Sequence, residues 1–139
     1  MRVLPVLAAL FLVLGAARAS AQTIPNLVGS WKSESHEGVT TGSRHFPKDD
    51  PGPHFVSGAF VLVIERQEGR RFTGFKKSAH SREAIMGVVG HDGATVHIIE
   101  DEGALVGTLT PDGVLELVYS HHAGASRGIG VARYVREAQ

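Results

Sequence analysis

The 139-residue sequence contains no cysteine. A folded domain of this protein therefore has no disulfide cross-link and must be held together by its core alone. The absence also excludes a cysteine nucleophile, and no Gly-x-Ser-x-Gly segment supplies a nucleophilic serine. Serine, histidine and aspartate all occur, but no spacing pairs them as a triad. The sequence favours a non-enzymatic protein, and an enzyme that uses the histidines stays open as an alternative.

An excess of charge of one sign is also lacking, since 14 basic and 14 acidic side chains give a net charge of zero. The first 21 residues carry Arg2 and Arg18 and no acid. Their removal would leave a slightly negative chain. Nucleic acids and anionic membranes are bound through basic patches, so neither is expected as a partner.

A long apolar run occurs only near the start, from Leu4 to Leu14, after Arg2 and before Ala19-Ser20-Ala21. This order is typical of a secretory signal peptide that is cleaved after Ala21. The run is short for a membrane span, which needs about 20 apolar residues, although an uncleaved anchor helix is the alternative. We expect a signal peptide over 1–21, one mature domain over 22–139, no membrane span after cleavage, and a periplasmic or secreted location.

The mature sequence shows no helical periodicity and instead alternates short apolar segments with glycine turns. Three such turns follow one another, at His91-Asp92-Gly93, Asp101-Glu102-Gly103 and Pro111-Asp112-Gly113. Glycine supplies the positive φ that tight hairpins need, and the preceding aspartate favours the turn through its own hydrogen bonds. This pattern predicts an antiparallel β-meander.

Short segments of this kind, each separated from the next by a predicted turn or loop, recur along the whole mature chain. The segments predicted as strands are 27–34, 55–67, 71–77, 83–90, 94–99, 105–110, 114–119 and 127–136. An up-and-down sheet of about eight strands closes most readily, because open edges aggregate. We predict an all-β protein, an eight-stranded antiparallel barrel, with a β-sandwich as the alternative.

Segment 35–54 has no periodicity and is rich in proline and glycine, so it is predicted to be a long irregular loop. Loops of this length are often functional, and this one could bind a protein partner. Histidines at 36, 45 and 54 lie in or beside it, and His121 and His122 lie in a later predicted loop. Their spacings match no metal-binding motif. No metal site and no cofactor are predicted.

Two stretches carry a likeness to a known group of proteins. Asn26–Trp31, with its Gly-x-Trp, resembles the opening strand of the calycins, which are the lipocalins, fatty-acid-binding proteins and avidins. The hairpin Val61–Phe75, ending Arg71-Phe72-Thr73-Gly74, is similar to the second hairpin of avidin-like proteins. The resemblance implies a barrel with a ligand mouth at one end and a basic residue, Arg133 or Arg136, under Trp31. Avidins bind biotin with several tryptophans, and Trp31 stands alone here, so the resemblance does not extend to biotin.

The resemblance implies that a small apolar or amphipathic ligand binds at the barrel mouth. The residues expected to contact it are Trp31, Phe60, Leu62, Arg66, Leu117, Tyr119 and Arg133. Arg66 and Arg133 each fall on an otherwise apolar face, where they could point inward to a ligand carboxylate or extend outward to water. The alternative function is a filled barrel that acts as a protein-interaction or inhibitor module through the 35–54 loop.

Overall fold

The computed structural model describes residues 22–42 and 46–138. The predicted signal peptide lies outside the described residues. Nine β-strands and no helix are found in the described part. The strands are β1 Gly29–Thr41, β2 His54–Ser57, β3 Val61–Glu68, β4 Arg71–Lys77, β5 Arg82–Val89, β6 Thr95–Ile99, β7 Ala104–Leu109, β8 Val114–Ala123 and β9 Ser126–Arg136. Accordingly, no helix of these residues is long and apolar enough to cross a membrane.

The sheet closes because β1 pairs with strands at both ends of the meander. Along one edge β1 pairs with β9, and along the other it pairs with β3 at its start and with β2 further on. From β3 to β9, each strand pairs antiparallel with the next in sequence. Eight strands therefore form a closed antiparallel barrel, which confirms the predicted all-β barrel, and β2 is an additional strand at one end.

The predicted strand 55–67 is divided into β2 and β3, which both run antiparallel to β1. Phe60, in the interruption, forms two hydrogen bonds with Ser33 of β1. Its N–H donates to Ser33 Oγ at 2.9 Å, and its carbonyl accepts from Ser33 N at 2.9 Å. The serine hydroxyl thus replaces a ladder bond where the strand breaks, so no backbone group of Phe60 loses its partner.

Both ends of the predicted 35–54 loop belong to the sheet instead. β1 continues to Thr41 and β2 begins at His54, which leaves residue 42 and residues 46–53 as the described irregular part. The later loop predicted to hold His121 and His122 is also wrong, since β8 and β9 continue to a tight turn at Gly124. The reason is long-range pairing: Ser35 to Thr41 are registered against β9, which outweighs the weak local pattern. The four strands β2-β1-β9-β8 therefore extend beyond the others at one end.

The opposite end of the barrel is covered by residues 22–28. Leu27 is completely buried, and its N–H donates to Gln67 Oε1 at 2.8 Å. Gln67 in turn donates to the Pro25 carbonyl at 2.9 Å. This end is closed. The interior side chains exposed by 3% or less are Leu27, Trp31, Leu62, Ile64, Phe72, Ile85, Val89, Val96, Ile98, Leu105, Leu115, Leu117, Ala132 and Tyr134.

Candidate functional site

Trp31 lies in the closed end of the barrel and is held by a basic residue of the last strand. The Arg136 guanidinium carbon is 4.4 Å from the centre of the indole ring, and Arg136 Nη1 donates to the Val28 carbonyl at 2.8 Å. Trp31 Nε1 donates to the Leu27 carbonyl at 2.9 Å. Of the two candidates from the sequence, Arg136 therefore packs on the tryptophan. Gly29 of the Gly-x-Trp has φ 139°, which side chains rarely allow.

Three residues predicted to contact a ligand belong to the filled part of the barrel. Trp31, Leu62 and Leu117 are each exposed by 1% or less and belong to the same hydrophobic cluster. Side chains packed in this way contact one another at the density of a protein interior. They support the wall of the barrel and have no surface free for a ligand.

The suggestion that Arg66 and Arg133 point into the barrel is wrong, and both lie on the outer surface. Arg66 forms an ion pair with Glu68, and Arg133 Nε is 3.1 Å from Glu116 Oε1. A bulge between Ile64 and Arg66 shifts the alternation of β3 by one residue, so the arginine turns outward. The alternative that these side chains extend to water is confirmed.

The other end of the barrel holds a buried ion pair that the sequence did not predict. Lys76 of β4 points inward with its side chain 10% exposed, and the side chain of Glu100 is fully buried. Lys76 Nζ donates to Glu100 Oε1 at 2.6 Å and lies 2.5 Å from Oε2. Oε2 has no further hydrogen bond within the described residues. The partners of this carboxylate are therefore Lys76 and, through a side-chain hydrogen bond, Tyr119.

Lys76 is surrounded by a second acid and two aromatic rings. Its ammonium is 3.7 Å from Glu83 Oε2, 4.7 Å from the Tyr119 ring centre and 5.4 Å from that of Phe60. Ring faces attract a cation, which partly replaces the water the ammonium has lost. We call Lys76, Glu83, Glu100, Tyr119 and Phe60 the mouth cluster. Phe60 and Tyr119, both predicted to contact a ligand, thus lie together at this end.

Burial changes the acidity of the cluster. It raises the pKa of Glu100 above the ordinary value, although the neighbouring Lys76 opposes this shift. It also raises the pKa of the Tyr119 hydroxyl, with Glu100 and Glu83 adding to the effect. Tyr119 is therefore a neutral hydrogen-bonding group at physiological pH. It is accommodated by Gly103, where a Cβ atom would be 2.6 Å from Tyr119 Cε2.

His36 lies beside the mouth cluster on the inner face of β1. A bulge between Ser33 and Ser35 shifts the alternation, so His36 turns towards Phe60, with ring centres 4.7 Å apart. Burial and the nearby Lys76 lower the pKa of His36. Its Nδ1 is buried without a hydrogen-bond partner in the described part of the chain. The sequence placed His36 in the irregular segment 35–54, and it lies on strand β1 instead.

The signal for Lys76 was present in the sequence. Phe72, Gly74 and Lys76 alternate along one face of β4, and that face is the inner one. The Lys76-Lys77 pair is typical of a solvated hairpin, however, and Glu100 begins an acidic turn, so each residue considered alone predicts a surface position. Across residues 22–42 and 46–138, no group of three or more side chains is placed to hold a metal ion.

A separate groove of about 310 Å³ lies where the long strands β1, β8 and β9 extend past the barrel. Its lining residues are Val39, Thr40, Thr41, His121, His122, Arg127, Gly128 and Ile129. Thr41 Oγ1 and His121 Nδ1 are buried there without partners among the described residues. The groove combines apolar side chains with the positive charge of Arg127.

The closed eight-stranded up-and-down barrel is the architecture of calycin-like proteins such as the lipocalins. No family model and no curated protein matches the chain. Among solved structures, an S-type phycobiliprotein lyase from Guillardia theta is similar, with 14% sequence identity and a TM-score of 0.36. The alignment covers 81% of this chain and 89% of that chain. A likeness of this size carries no assignment of function.

Proposed function

We propose that the barrel binds a small amphipathic ligand at the end lined by the mouth cluster. One observation carries the proposal: a fully buried carboxylate is paired with a nearly buried ammonium inside an otherwise apolar barrel. Removing both charges from water costs several kcal/mol per ion, a cost that an apolar pair of similar volume would avoid. Buried charges of this kind, beside groups with shifted pKa values, are typical of binding sites.

The neighbouring groups fit an amphipathic molecule with both polar and apolar parts. Phe60, His36 and Tyr119 are only partly buried and offer ring surface. Lys76 and Glu83 offer a cation and an anion to a polar group of the ligand. The opposite half of the barrel is occupied by its own side chains. The ligand is therefore expected to be short and to remain at the mouth.

We also propose that the mature protein acts outside the cytoplasm, in the periplasm or the medium. Arg2, the apolar run over 4–14 and Ala19-Ser20-Ala21 support cleavage after residue 21. Cleavage after residue 21 would keep Gln22, which donates a hydrogen bond to the Asp92 carbonyl. Comparing the N-terminal sequence of the protein recovered from host periplasm or medium with that from lysate would test this proposal.

Native mass spectrometry of the mature protein, purified from its own host, tests ligand binding. The variants are Lys76→Met and Glu100→Gln, and Lys77→Met is the matched control on the exposed neighbour. We expect the wild type and K77M to retain a small molecule and both mouth variants to lose it. A wild type without bound mass, which also binds the amphipathic dye 1-anilinonaphthalene-8-sulfonate no better than K76M does, would overturn the proposal.

A further inference from the structure

The outer wall of the barrel carries exposed apolar side chains on β5 to β9 and on β2, and those on β2, β8 and β9 lie on the strands that extend furthest. Phe55 is 89% exposed, and Ile129, Val131 and Val118 are each about half exposed. All four point away from the barrel interior. Large apolar side chains occur singly on most protein surfaces, but a contiguous set marks an interaction site.

The strand register shows that these residues are contiguous. Phe55 of β2 lies opposite Val39 of β1, and Val39 lies opposite Ile129 of β9. Val131 follows Ile129 by two residues on β9 and lies opposite Val118 of β8. Directly opposed side chains on one face are about 5 Å apart. We call these five residues the outer row.

The groove of about 310 Å³ is lined by residues of both faces of the extended strands, and most of them share the face of the outer row. Of its eight lining residues, the five that alternate outward are Val39, Thr41, His122, Arg127 and Ile129. Two of these belong to the outer row itself. One face of the molecule thus presents both a protruding phenyl ring, on Phe55, and a concave surface with apolar walls and an arginine. A ring can stack on an arginine as well as on aliphatic side chains.

We propose that a second copy of this chain covers the outer row, with Phe55 of each copy in the groove of the other. A two-fold dimer requires that one patch be complementary to itself, and a projection beside a groove meets this requirement. If the exposed parts of these side chains are all covered, they amount to about 500 Å² per protomer and about 1,000 Å² in total, which is the lower limit for a specific interface.

The charges beside the outer row also favour a second copy over a partner with a strong net charge of one sign. Glu37 precedes Val39 by two residues on the outer face of β1, and Arg127 precedes Ile129 by two on β9. One acid and one base border the row, so two copies meet without net repulsion. The mouth cluster points into the barrel and is not part of the proposed dimer interface. The dimer and the proposed ligand site can therefore be tested independently.

Sedimentation velocity of the mature protein over about 1 to 100 µM tests the proposal, since a modest interface dissociates in that range. The variant is Phe55→Ser, and Met86→Ser is the control, because Met86 is also an exposed apolar residue (59%) but lies on β5. We expect the wild type and M86S to dimerise and F55S to dimerise at least about 100-fold more weakly.

The absence of cysteine allows a direct test of the arrangement. Chains carrying only Phe55→Cys are mixed with chains carrying only His122→Cys and then oxidised. The mixed pair keeps one Phe55, that of the H122C chain, so we expect a disulfide-linked pair at about 100 µM, and little with Glu65→Cys in place of H122C. A monomeric wild type at 100 µM, a dimer that F55S leaves intact, or open-ended polymers would each overturn the proposal, because a two-fold contact closes after two copies.

Discussion

At the Trp31 end of the barrel, the guanidinium of Arg136 lies at the surface and covers an apolar interior. At the opposite end, the ammonium of Lys76 lies within the barrel and is paired with buried Glu100. Both cations pack on aromatic rings, and they differ in how much water each retains. An exposed guanidinium keeps most of its hydration, whereas a buried ammonium depends on its partners.

This difference indicates a division of roles within one small barrel. The closed end contributes buried apolar surface and hydrogen bonds whose donors and acceptors are paired, which stabilises the fold. The mouth end keeps charges that an all-apolar interior would not need. Charged residues placed where the fold alone would favour apolar ones are expected at functional sites.

The largest expected effect is at the closed end. Trp31→Ala would leave a cavity where the indole fills the barrel, and we expect a loss of about 3–5 kcal/mol in the free energy of unfolding. Urea denaturation of the mature protein measures it. Phe55→Ala, which removes an exposed ring, should change stability by less than about 0.5 kcal/mol at concentrations where the protein is monomeric. Similar losses for the two variants would contradict the structure.

At the mouth end, the stability lost on replacing Lys76 should depend on pH. Lys76→Met leaves Glu100 buried without its cation, and we expect a loss of about 3 kcal/mol at pH 8. Burial raises the pKa of Glu100. The folded state therefore binds this proton more readily than the unfolded state, and the stability it confers is present at low pH and lost as pH rises through the raised pKa.

The cost of K76M should accordingly become smaller towards pH 4, where Glu100 is protonated. Denaturation at pH 4 and pH 8 measures the difference. Lys77→Met provides the control, since Lys77 is exposed and its replacement should cost less than about 0.5 kcal/mol at either pH. An equal cost of K76M at both pH values would show that Glu100 does not depend on the lysine.

A smaller effect distinguishes the two arginines of β9. Arg136→Met removes the cation over Trp31 and a 2.8 Å hydrogen bond to the Val28 carbonyl, so we expect a loss of about 1–2 kcal/mol. Arg133→Met breaks an ion pair in which both side chains are about half exposed, and we expect less than about 1 kcal/mol. Thermal unfolding of both variants provides the comparison. The reverse order would indicate that Arg136 does not seal the closed end.

The smallest effect contrasts two carboxyl groups at opposite ends. Asp92 accepts hydrogen bonds from the N–H groups of Ala94 and Thr95 and from the Thr95 hydroxyl, which lowers its pKa to about 2. The stability it confers is present above the ordinary aspartate pKa and lost as pH falls towards 2, opposite in sign to Glu100. NMR titration of the two carboxyl carbons should give shifts in opposite directions. Shifts in the same direction would remove this contrast between the ends.

Much of the barrel could be predicted from the sequence. The predicted strand 71–77 matches β4 without change, and the predicted turns at Gly93 and Gly113 have φ of 69° and 81°. Local dihedral preferences and strand alternation are sufficient for these elements. Gly103 differs, because it does not adopt positive φ and instead makes room for Tyr119.

The mouth cluster and the outer row could not be predicted in the same way. Ile129, Val131 and Val118 are apolar yet point outward, whereas Lys76 points inward. Bulges in β1 and β3 also reverse the faces of His36 and Arg66. A one-residue change in register exchanges the two faces of a strand, and no residue type in these segments encodes where that change occurs.

The sequence by itself therefore determined most of the strands and the turns at Gly93 and Gly113, because these depend on neighbouring residues and local backbone geometry. Only the tertiary structure decided that β1 and β9 stay paired as far as Thr41 and Arg127, which extends these strands past the rest of the barrel. It also decided that Lys76 and Glu100, 24 residues apart in sequence, meet inside. Both outcomes depend on pairing between distant segments, whose energy is set by the closed sheet as a whole.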